Sequence, residues 1–289
     1  MFYRIAEIVR TTLATTCLMA LFLCSAPAAQ NKSGQIRFEY VPPKNQAHQW
    51  IHDRMKEGRA LEDLQKLLSP IRLPYPLLLK VDSCNGVPNA YYDDETITVC
   101  YELLADFLKN APDKDPPIGI SRADTILGPV LDTFLHETGH AIFRMLDIPV
   151  LGREEDAADQ LSAYVMLKLD KDEARRMILG AAYQYRLYMP GQNVTLSIKT
   201  FADEHSLPAQ RMFNMLCLAY GADQKLFSDV VEKQFLPKER ANQCVVEYGD
   251  VSFAMTKLIG PHVDRQLAKK SFNEWTRIAT TRRAKMSRQ

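Results

Sequence analysis

The stretch His136-Glu137-Thr138-Gly139-His140 lies within residues 126–145, where apolar side chains recur at helical spacing. These apolar positions leave little polar face, which is typical of a buried helix. Buried histidine and glutamate side chains need a metal ion or a hydrogen-bond network to offset the loss of water. The stretch therefore predicts a helix in the interior of the fold that carries a polar site.

The sequence leaves two possible starts for this helix but indicates one end. Ser121 with Asp124 resembles an N-cap, whereas Gly128-Pro129 would place proline at the first helical position, and the sequence leaves both starts open. Asp147-Ile148-Pro149 predicts the end, because the residue before a proline avoids helical geometry. Both histidines are helical under either start.

His136 and His140 are four residues apart, so on a helix they lie one turn apart on the same face. Both imidazoles can then bind one zinc ion, with zinc–nitrogen distances of about 2.0–2.1 Å. Glu137 lies beside that ion, where a carboxylate can accept a proton from a metal-activated water and pass it to the leaving amine. The motif predicts zinc-dependent hydrolysis of a peptide or protein substrate, with Glu137 as general base and then general acid.

A catalytic zinc site takes three protein ligands and keeps one position for water, so a third ligand is expected. The acidic run Glu154-Glu155-Asp156 opens the next helical pattern, in which Glu155 and Asp159 are again four residues apart. We expect Glu155 to bind the metal and Asp159 to accept a hydrogen bond from the second nitrogen of a ligand histidine. Glu154 and Asp159 are the alternative ligands. The competing interpretation is an ordinary acidic first turn, stabilised by the helix dipole.

This arrangement resembles the gluzincins, the thermolysin-like peptidases in which a glutamate on the following helix binds zinc and an aspartate four residues later supports a histidine. The chain is also similar to a bacterial family of metallopeptidase-like proteins long described as a domain of unknown function. That resemblance runs from about residue 35 to residue 262 and implies a peptidase fold without naming a substrate. Besides the histidine motif and residues 152–160, it is carried by Pro88-Asn89-Ala90-Tyr91-Tyr92, Val99-Cys100-Tyr101-Glu102-Leu103, Asp203-Glu204-His205-Ser206-Leu207-Pro208, Gln210-Arg211, Cys217 and Tyr220-Gly221.

Gluzincins commonly use a histidine or tyrosine to stabilise the oxyanion that develops during hydrolysis, and His205 is the candidate here. A lone histidine in a loop can equally be solvated or cap the helix that follows. The alternative stabilisers are Tyr91, Tyr92 and Arg211. The two tyrosines also fit a packing role in a sheet, and Arg211 also fits an ion pair with a nearby acid, Asp203 or Glu204.

Two other classes of function stay open. An exported zinc-binding or scaffolding protein of the same fold would keep the metal without turnover. A disulfide-bonded helical protein with an accidental motif would bind no stoichiometric metal. Metal analysis and a peptide-cleavage assay separate these possibilities.

Residues 1–28 predict a secretory signal, because Arg4 and Arg10 precede an apolar run at 11–24 and Ala26-Pro27-Ala28 fits a cleavage site. The apolar run is too short to span a bilayer comfortably. We therefore expect an exported protein, periplasmic or secreted, with no stable membrane anchor after cleavage.

Four cysteines follow this segment, an even number that suits an oxidising compartment. Four cysteines allow three pairings, and the most local one joins Cys84 to Cys100 and Cys217 to Cys244. Metal binding by these residues is disfavoured, because the chain contains no Cys-x-x-Cys spacing.

Strand patterns at residues 35–41, 76–83 and 96–101 precede the metal-binding helix, and helical patterns dominate afterwards. We expect an α+β, predominantly helical fold: one zincin-like domain over residues 29–289, with a small antiparallel sheet whose edge strand is 96–101. Helices are predicted at 48–68, 154–168, 171–188, 208–218, 226–235 and 238–258.

The charge of the chain is balanced, with 36 basic and 35 acidic side chains, and shows no nucleic-acid footprint. Only the C-terminal tail, from about 268 to 289, is strongly basic. A solvated or frayed terminus is the expectation for this tail, and contact with an envelope or membrane surface is the alternative.

Overall fold

A computed structural model describes residues 35–191 and 194–286, with side chains up to Arg282. The predicted signal at 1–28 and its two cysteines lie outside the described residues. The fold is α+β and mostly helical, with one small sheet, and the described residues form a single structural unit. The predicted fold class is confirmed at this level.

The sheet has four strands in the order β1-β2-β4-β3 and is mixed rather than antiparallel. β2 pairs in parallel with both β1 and β4, and only β3 pairs antiparallel with β4. The prediction of an antiparallel sheet was therefore wrong. The strands are β1 Ile36–Tyr40, β2 Leu77–Asp82, β3 Ala90–Asp93 and β4 Thr96–Cys100.

Two connections explain the mixed topology. Helices α1, Gln49–Glu57, and α2, Ala60–Leu68, form the crossover that parallel pairing of β1 and β2 requires. After β2 the chain forms β3 two positions away in the sheet rather than beside β2. A hairpin through Asp94-Glu95, both at positive φ, then leads into β4, which lies between β2 and β3. β4 is thus an interior strand, and β3 is the edge strand on this side of the sheet. Our assignment of residues 96–101 as the edge was wrong.

The helix predicted at 48–68 is interrupted at Gly58-Arg59, where Arg59 takes a left-handed conformation with φ 53°. α3, Tyr101–Asn110, follows the sheet directly. α4, Asp124–Met145, carries the histidine motif over 22 residues. It begins at Asp124, whose carboxylate accepts from the backbone N–H and hydroxyl of Ser121 at 2.8 and 2.7 Å, so the first of the two predicted starts is correct.

Helices make up most of the chain from residue 154 onward, as predicted, although the segment at 238–258 is two helices rather than one. Within the basic tail, for which a solvated or frayed terminus was expected, residues 268–286 belong to a helix, and Lys66 and Asp63 of α2 pair with Glu274 and Arg282 of that helix. The helices are α5 Glu154–Met166, α6 Lys171–Leu187, α7 Pro208–Ala222, α8 Ser228–Glu232, α9 Lys238–Ala241, α10 Cys244–Leu258 and α11 Arg265–Met286.

The cysteines pair as predicted. Cys84 bonds to Cys100 at the end of β4, and Cys217 bonds to Cys244, which joins α7 to α10. Within residues 35–191 and 194–286, no helix combines the length and apolar character needed to cross a bilayer.

Candidate metal centre and adjoining cavity

Glycines on α4 allow its two neighbouring helices to approach closely. A Cβ atom on Gly139 would lie 3.0 Å from the Cα of Ala158 on α5, and one on Gly128 would lie 2.6 Å from the backbone nitrogen of Ala181 on α6. Because Gly139 lies between the two motif histidines, the crossing with α5 occurs beside them. Glu155 and Asp159 flank Ala158 and are therefore carried to His136 and His140.

The three expected ligands converge. The Nε2 atoms of His136 and His140 are 3.2 Å apart, and the carboxylate of Glu155 lies 3.0 Å from the first and 3.3 Å from the second. In a tetrahedral zinc site with bonds of about 2.0–2.1 Å, ligand atoms lie about 3.3 Å apart. Two imidazole nitrogens and one carboxylate oxygen are also a common donor set for zinc. The residues present therefore fit a metal ion of this kind.

The outer nitrogen of each histidine is held by a second carboxylate. Nδ1 of His136 lies 2.8 Å from Asp159, and Nδ1 of His140 lies 2.8 Å from Glu154. These contacts favour a proton on Nδ1, so that Nε2 of each histidine would be the nitrogen that binds a metal ion. Asp159 contacts one motif histidine, and Glu154, an alternative ligand in the sequence analysis, contacts the outer nitrogen of the other.

The side chains of this cluster strongly shift one another's pKa values. Burial opposes protonation of His136, but Asp159 and Glu155 outweigh it and raise the pKa of His136 to about 10. Burial by itself would raise the pKa of the Glu155 carboxyl. Contacts with His136, His140 and His205 outweigh this and hold that pKa far below the usual range. The carboxylates thus create a site that favours positive charge, which is the electrostatic requirement of a cation site.

Glu137 lies beside the ligands on α4 and is only 7 % exposed. Burial raises the pKa of its carboxyl, and the neighbouring histidines oppose this without reversing it. Together with His136, one of the three candidate ligands, Glu137 lines a cavity of about 390 Å³. The structure therefore places a buried carboxyl with a raised pKa at a cavity where a substrate can bind.

His205 reaches the same centre from the loop before α7. Its Nε2 lies 3.0 Å from Glu155, and its ring stacks on that of His136 with centroids 6.3 Å apart. Asp203 accepts from the backbone N–H of His205 at 2.9 Å, and Ser206 donates to Asp156 on α5 at 2.6 Å, so the loop is fastened on both sides. Glu155 raises the pKa of His205 against the effect of burial.

From the sequence, an ion pair of Arg211 with Asp203 or Glu204 was one possibility. The structure shows a different partner. It donates to Asp159 through Nε at 2.8 Å, and its guanidinium lies 4.6 Å from the centre of the Tyr185 ring. Arg211 thus holds the carboxylate that holds His136. No local pattern predicts this contact, because Arg211 and Asp159 are 52 residues apart in the chain.

Tyr91 and Tyr92 lie on β3, and among the described residues the cavity is lined by Ala90 but by neither tyrosine. A buried network next to the ligands was not predicted. In it Asp132, one turn before His136, accepts from Tyr185 at 2.7 Å and from Ser162 at 2.6 Å. Burial raises the pKa of Asp132.

Comparison with known proteins identifies one family and nothing else: no curated protein and no solved structure matches the chain. The family model covers residues 40–259, about three quarters of the sequence, and the candidate metal centre lies inside that range. The chain therefore belongs to the family described as "Putative metallopeptidase".

Proposed function

We propose that this protein is an exported zinc-dependent metallopeptidase with a gluzincin-like site and a zincin-like fold. The observation that carries the proposal is the convergence of His136, His140 and Glu155, with donor atoms 3.0–3.3 Å apart, beside buried Glu137 at an open cavity. Family membership supports the same class of reaction.

His136, His140 and Glu155 would hold the zinc ion, and Asp159 and Glu154 would orient the two imidazoles. When bound, zinc supplies a Lewis acid for the scissile carbonyl and makes water a nucleophile at neutral pH. The nitrogen-rich donor set favours zinc over magnesium or calcium, which prefer oxygen ligands.

Glu137 accepts the proton of the attacking water and returns it to the leaving amine. A general base works best when its pKa lies near the working pH, and burial shifts Glu137 in that direction. Its position next to His136 keeps the carboxyl beside the ligands, and its place in the cavity wall gives it access to substrate.

His205 stabilises the negative charge that develops on the carbonyl oxygen. Its imidazole is 43 % exposed and borders the cavity beside Glu155, so a substrate can reach its Nε2. A donor directed at the oxygen of the transition state is worth about 3–4 kcal/mol. The raised pKa of His205 favours the protonated donor.

The edge strand β3 supplies a place for an extended peptide. Its first residue, Ala90, lines the cavity, and its outer side is not paired with any described strand. Addition of a peptide strand to such an edge forms main-chain hydrogen bonds that do not depend on sequence. A peptide bound there lies with part of its backbone next to the metal centre.

Export is supported by the two disulfides, which form and persist in oxidising compartments. N-terminal sequencing of protein recovered from a cell envelope or medium tests it: export with cleavage predicts a mature start after Ala28.

A non-catalytic zinc-binding or scaffolding role is the second candidate, since a metal centre alone does not require turnover. Metal analysis of the purified protein and cleavage of a peptide library decide between the two. A peptidase binds one zinc per chain and cleaves peptides only when loaded, whereas a scaffold binds zinc without cleavage. A chain with neither property contradicts both.

A further inference from the structure

Residues 84–89, which we call the wall segment, lead from β2 to β3 and form part of the cavity wall. Pro88 and Asn89 line the cavity, as does Ala90, the first residue of β3. The backbone N–H of Cys100 donates to the carbonyl of Asn89 at 3.0 Å, so the main chain of Asn89 faces β4. Because successive residues of a strand alternate, the N–H and C=O of Ala90 face the open edge of the sheet. The wall segment therefore sets the position at which the edge strand begins.

Burial does little to fix the wall segment. Five of its six residues are exposed, namely Asn85, Gly86, Val87, Pro88 and Asn89. The chain turns at Asn85 and Gly86, which have φ 55° and 89°. Segments with few buried apolar contacts open more easily than the core of a fold. The position of the wall segment therefore depends on specific bonds to its surroundings.

Three bonds, which we call the tether, join the wall segment to the junction of β4 and α3. Cys84 forms the disulfide with Cys100. The carboxylate of Glu102 accepts from the backbone N–H of Cys84 at 2.9 Å and from that of Gly86 at 3.0 Å. Burial by itself would raise the pKa of Glu102, but these N–H groups outweigh it and lower that pKa. Hydrogen bonds to such a charged acceptor are roughly twice as strong as neutral ones.

The junction that holds the tether is part of the core. Cys100 and Tyr101 are fully buried, and the hydroxyl of Tyr101 donates to the carbonyl of Val41 at 2.7 Å. The three candidate metal ligands lie instead on α4 and α5, and the carboxylates that hold the two histidines also lie on α5. Loss of the tether should therefore loosen the wall segment and leave the metal centre intact.

We propose that Glu102 and the disulfide between Cys84 and Cys100 are positioning residues for the substrate. They hold the wall segment and the start of β3 in the place where a peptide binds beside the metal centre. A wall that is already in position does not have to be ordered by the peptide, which lowers the cost of binding. This inference rests on the proposed peptidase function, and it concerns binding of the substrate rather than the chemical step.

The first test is Glu102→Gln in zinc-loaded protein, because the amide has no charge and only one acceptor oxygen for the two N–H groups. With blocked alanine-based peptides, KM should rise on the order of 10-fold while kcat stays within about twofold of wild type. Zinc affinity, measured by chelator competition, should not change. An unchanged KM would overturn the proposal, and so would a loss of kcat or of zinc affinity in place of the rise in KM.

Glu239→Gln, the same change at an exposed position of α9, is the matched control and should have the KM of wild type.

The second test removes the disulfide of the tether. The double variant Cys84→Ala and Cys100→Ala should also raise KM without loss of zinc. Its matched control is Cys217→Ala and Cys244→Ala, which removes the bond between α7 and α10 and should lower stability while KM stays at the wild-type value. Equal KM values for the two double variants would overturn the role of the disulfide. If the first variant does not fold, Glu102→Gln decides the question.

A binding arm separates failure of the tether from failure of the peptidase function. Calorimetry with zinc-loaded Glu137→Gln protein should show that adding Glu102→Gln weakens binding of the same peptides on the order of 10-fold. If the wild type cleaves nothing but this loss appears, the peptidase function is wrong and the positioning role stands. If the peptides bind equally well to both proteins, or bind to neither, the positioning role is wrong.

Discussion

Asp159 accepts a hydrogen bond from His136 at 2.8 Å across the contact between α5 and α4. The same carboxylate receives the guanidinium of Arg211, so its position is set from two sides. A ligand histidine held in this way has one nitrogen protonated and the other free for a metal. The contact therefore links the crossing of two helices to the geometry of the candidate metal centre.

Asp159→Asn should weaken zinc binding by about 10–100-fold, because an amide holds the imidazole less firmly than a carboxylate and removes a negative charge. Competition with a chromophoric chelator measures the change. Asp250→Asn, on the exposed surface of α10, is the control and should bind zinc like wild type. Unchanged zinc affinity in Asp159→Asn would show that this carboxylate has no part in holding the metal.

Glu154→Gln should have a smaller effect, less than about tenfold in zinc affinity. Glu154 contacts His140 at 2.8 Å, but its side chain is 37 % exposed, whereas that of Asp159 is 16 % exposed. Water can replace an exposed partner more easily than a buried one. The same chelator competition compares the zinc affinities of the two variants. A larger loss of zinc affinity in Glu154→Gln than in Asp159→Asn would contradict the prediction.

Gly180→Ala should destabilise the fold by about 1–3 kcal/mol, because the added methyl overfills a close helix contact. A Cβ atom at Gly180 would lie 2.0 Å from the carbonyl oxygen of Asp124, at the start of α4. Urea unfolding of the two proteins measures the difference.

Gly249→Ala is the matched control, since a Cβ atom there meets nothing within 4 Å. Better helix propensity should make this variant more stable by up to about 1 kcal/mol. The two substitutions should change the free energy of unfolding in opposite directions. Equal changes would mean that α4 and α6 do not make their close contact at Gly180.

The disulfide between Cys217 and Cys244 closes a loop of 27 residues. Chain-entropy arguments give its removal a cost of about 3–4 kcal/mol. Urea unfolding of the double alanine variant should show this loss under oxidising conditions, and the difference from wild type should shrink in a reducing agent. A variant as stable as the oxidised wild type would mean that the bond contributes nothing to the fold.

The candidate metal centre was largely predictable from the sequence, because the spacing of its residues is local. His136 and His140 lie one helical turn apart, and Glu155 and Asp159 repeat that spacing on the next helix, so two short patterns contain the donor atoms. The role of Glu154 was missed, since adjacent glutamates in an acidic first turn look alike until the helix is oriented against its neighbour.

The sheet was only partly predictable. Strand patterns locate β1, β2 and β4, but pairing direction depends on connections, and β3 is four residues long with two tyrosines that gave no clear signal. Its insertion beyond β4 turned an expected edge strand into an interior one. The partner of Arg211 could not be predicted for a similar reason, because the contact joins two helices that are far apart in the chain.

The most direct test of the account is Glu137→Gln in zinc-loaded protein. Metal analysis should still give one zinc per chain, because Glu137 is not one of the three converging ligands. Hydrolysis of a peptide that the wild type cleaves should fall by about 10²–10⁴-fold, the usual contribution of a general base. A Glu137→Gln protein that keeps its zinc and cleaves at the wild-type rate would contradict the central claim.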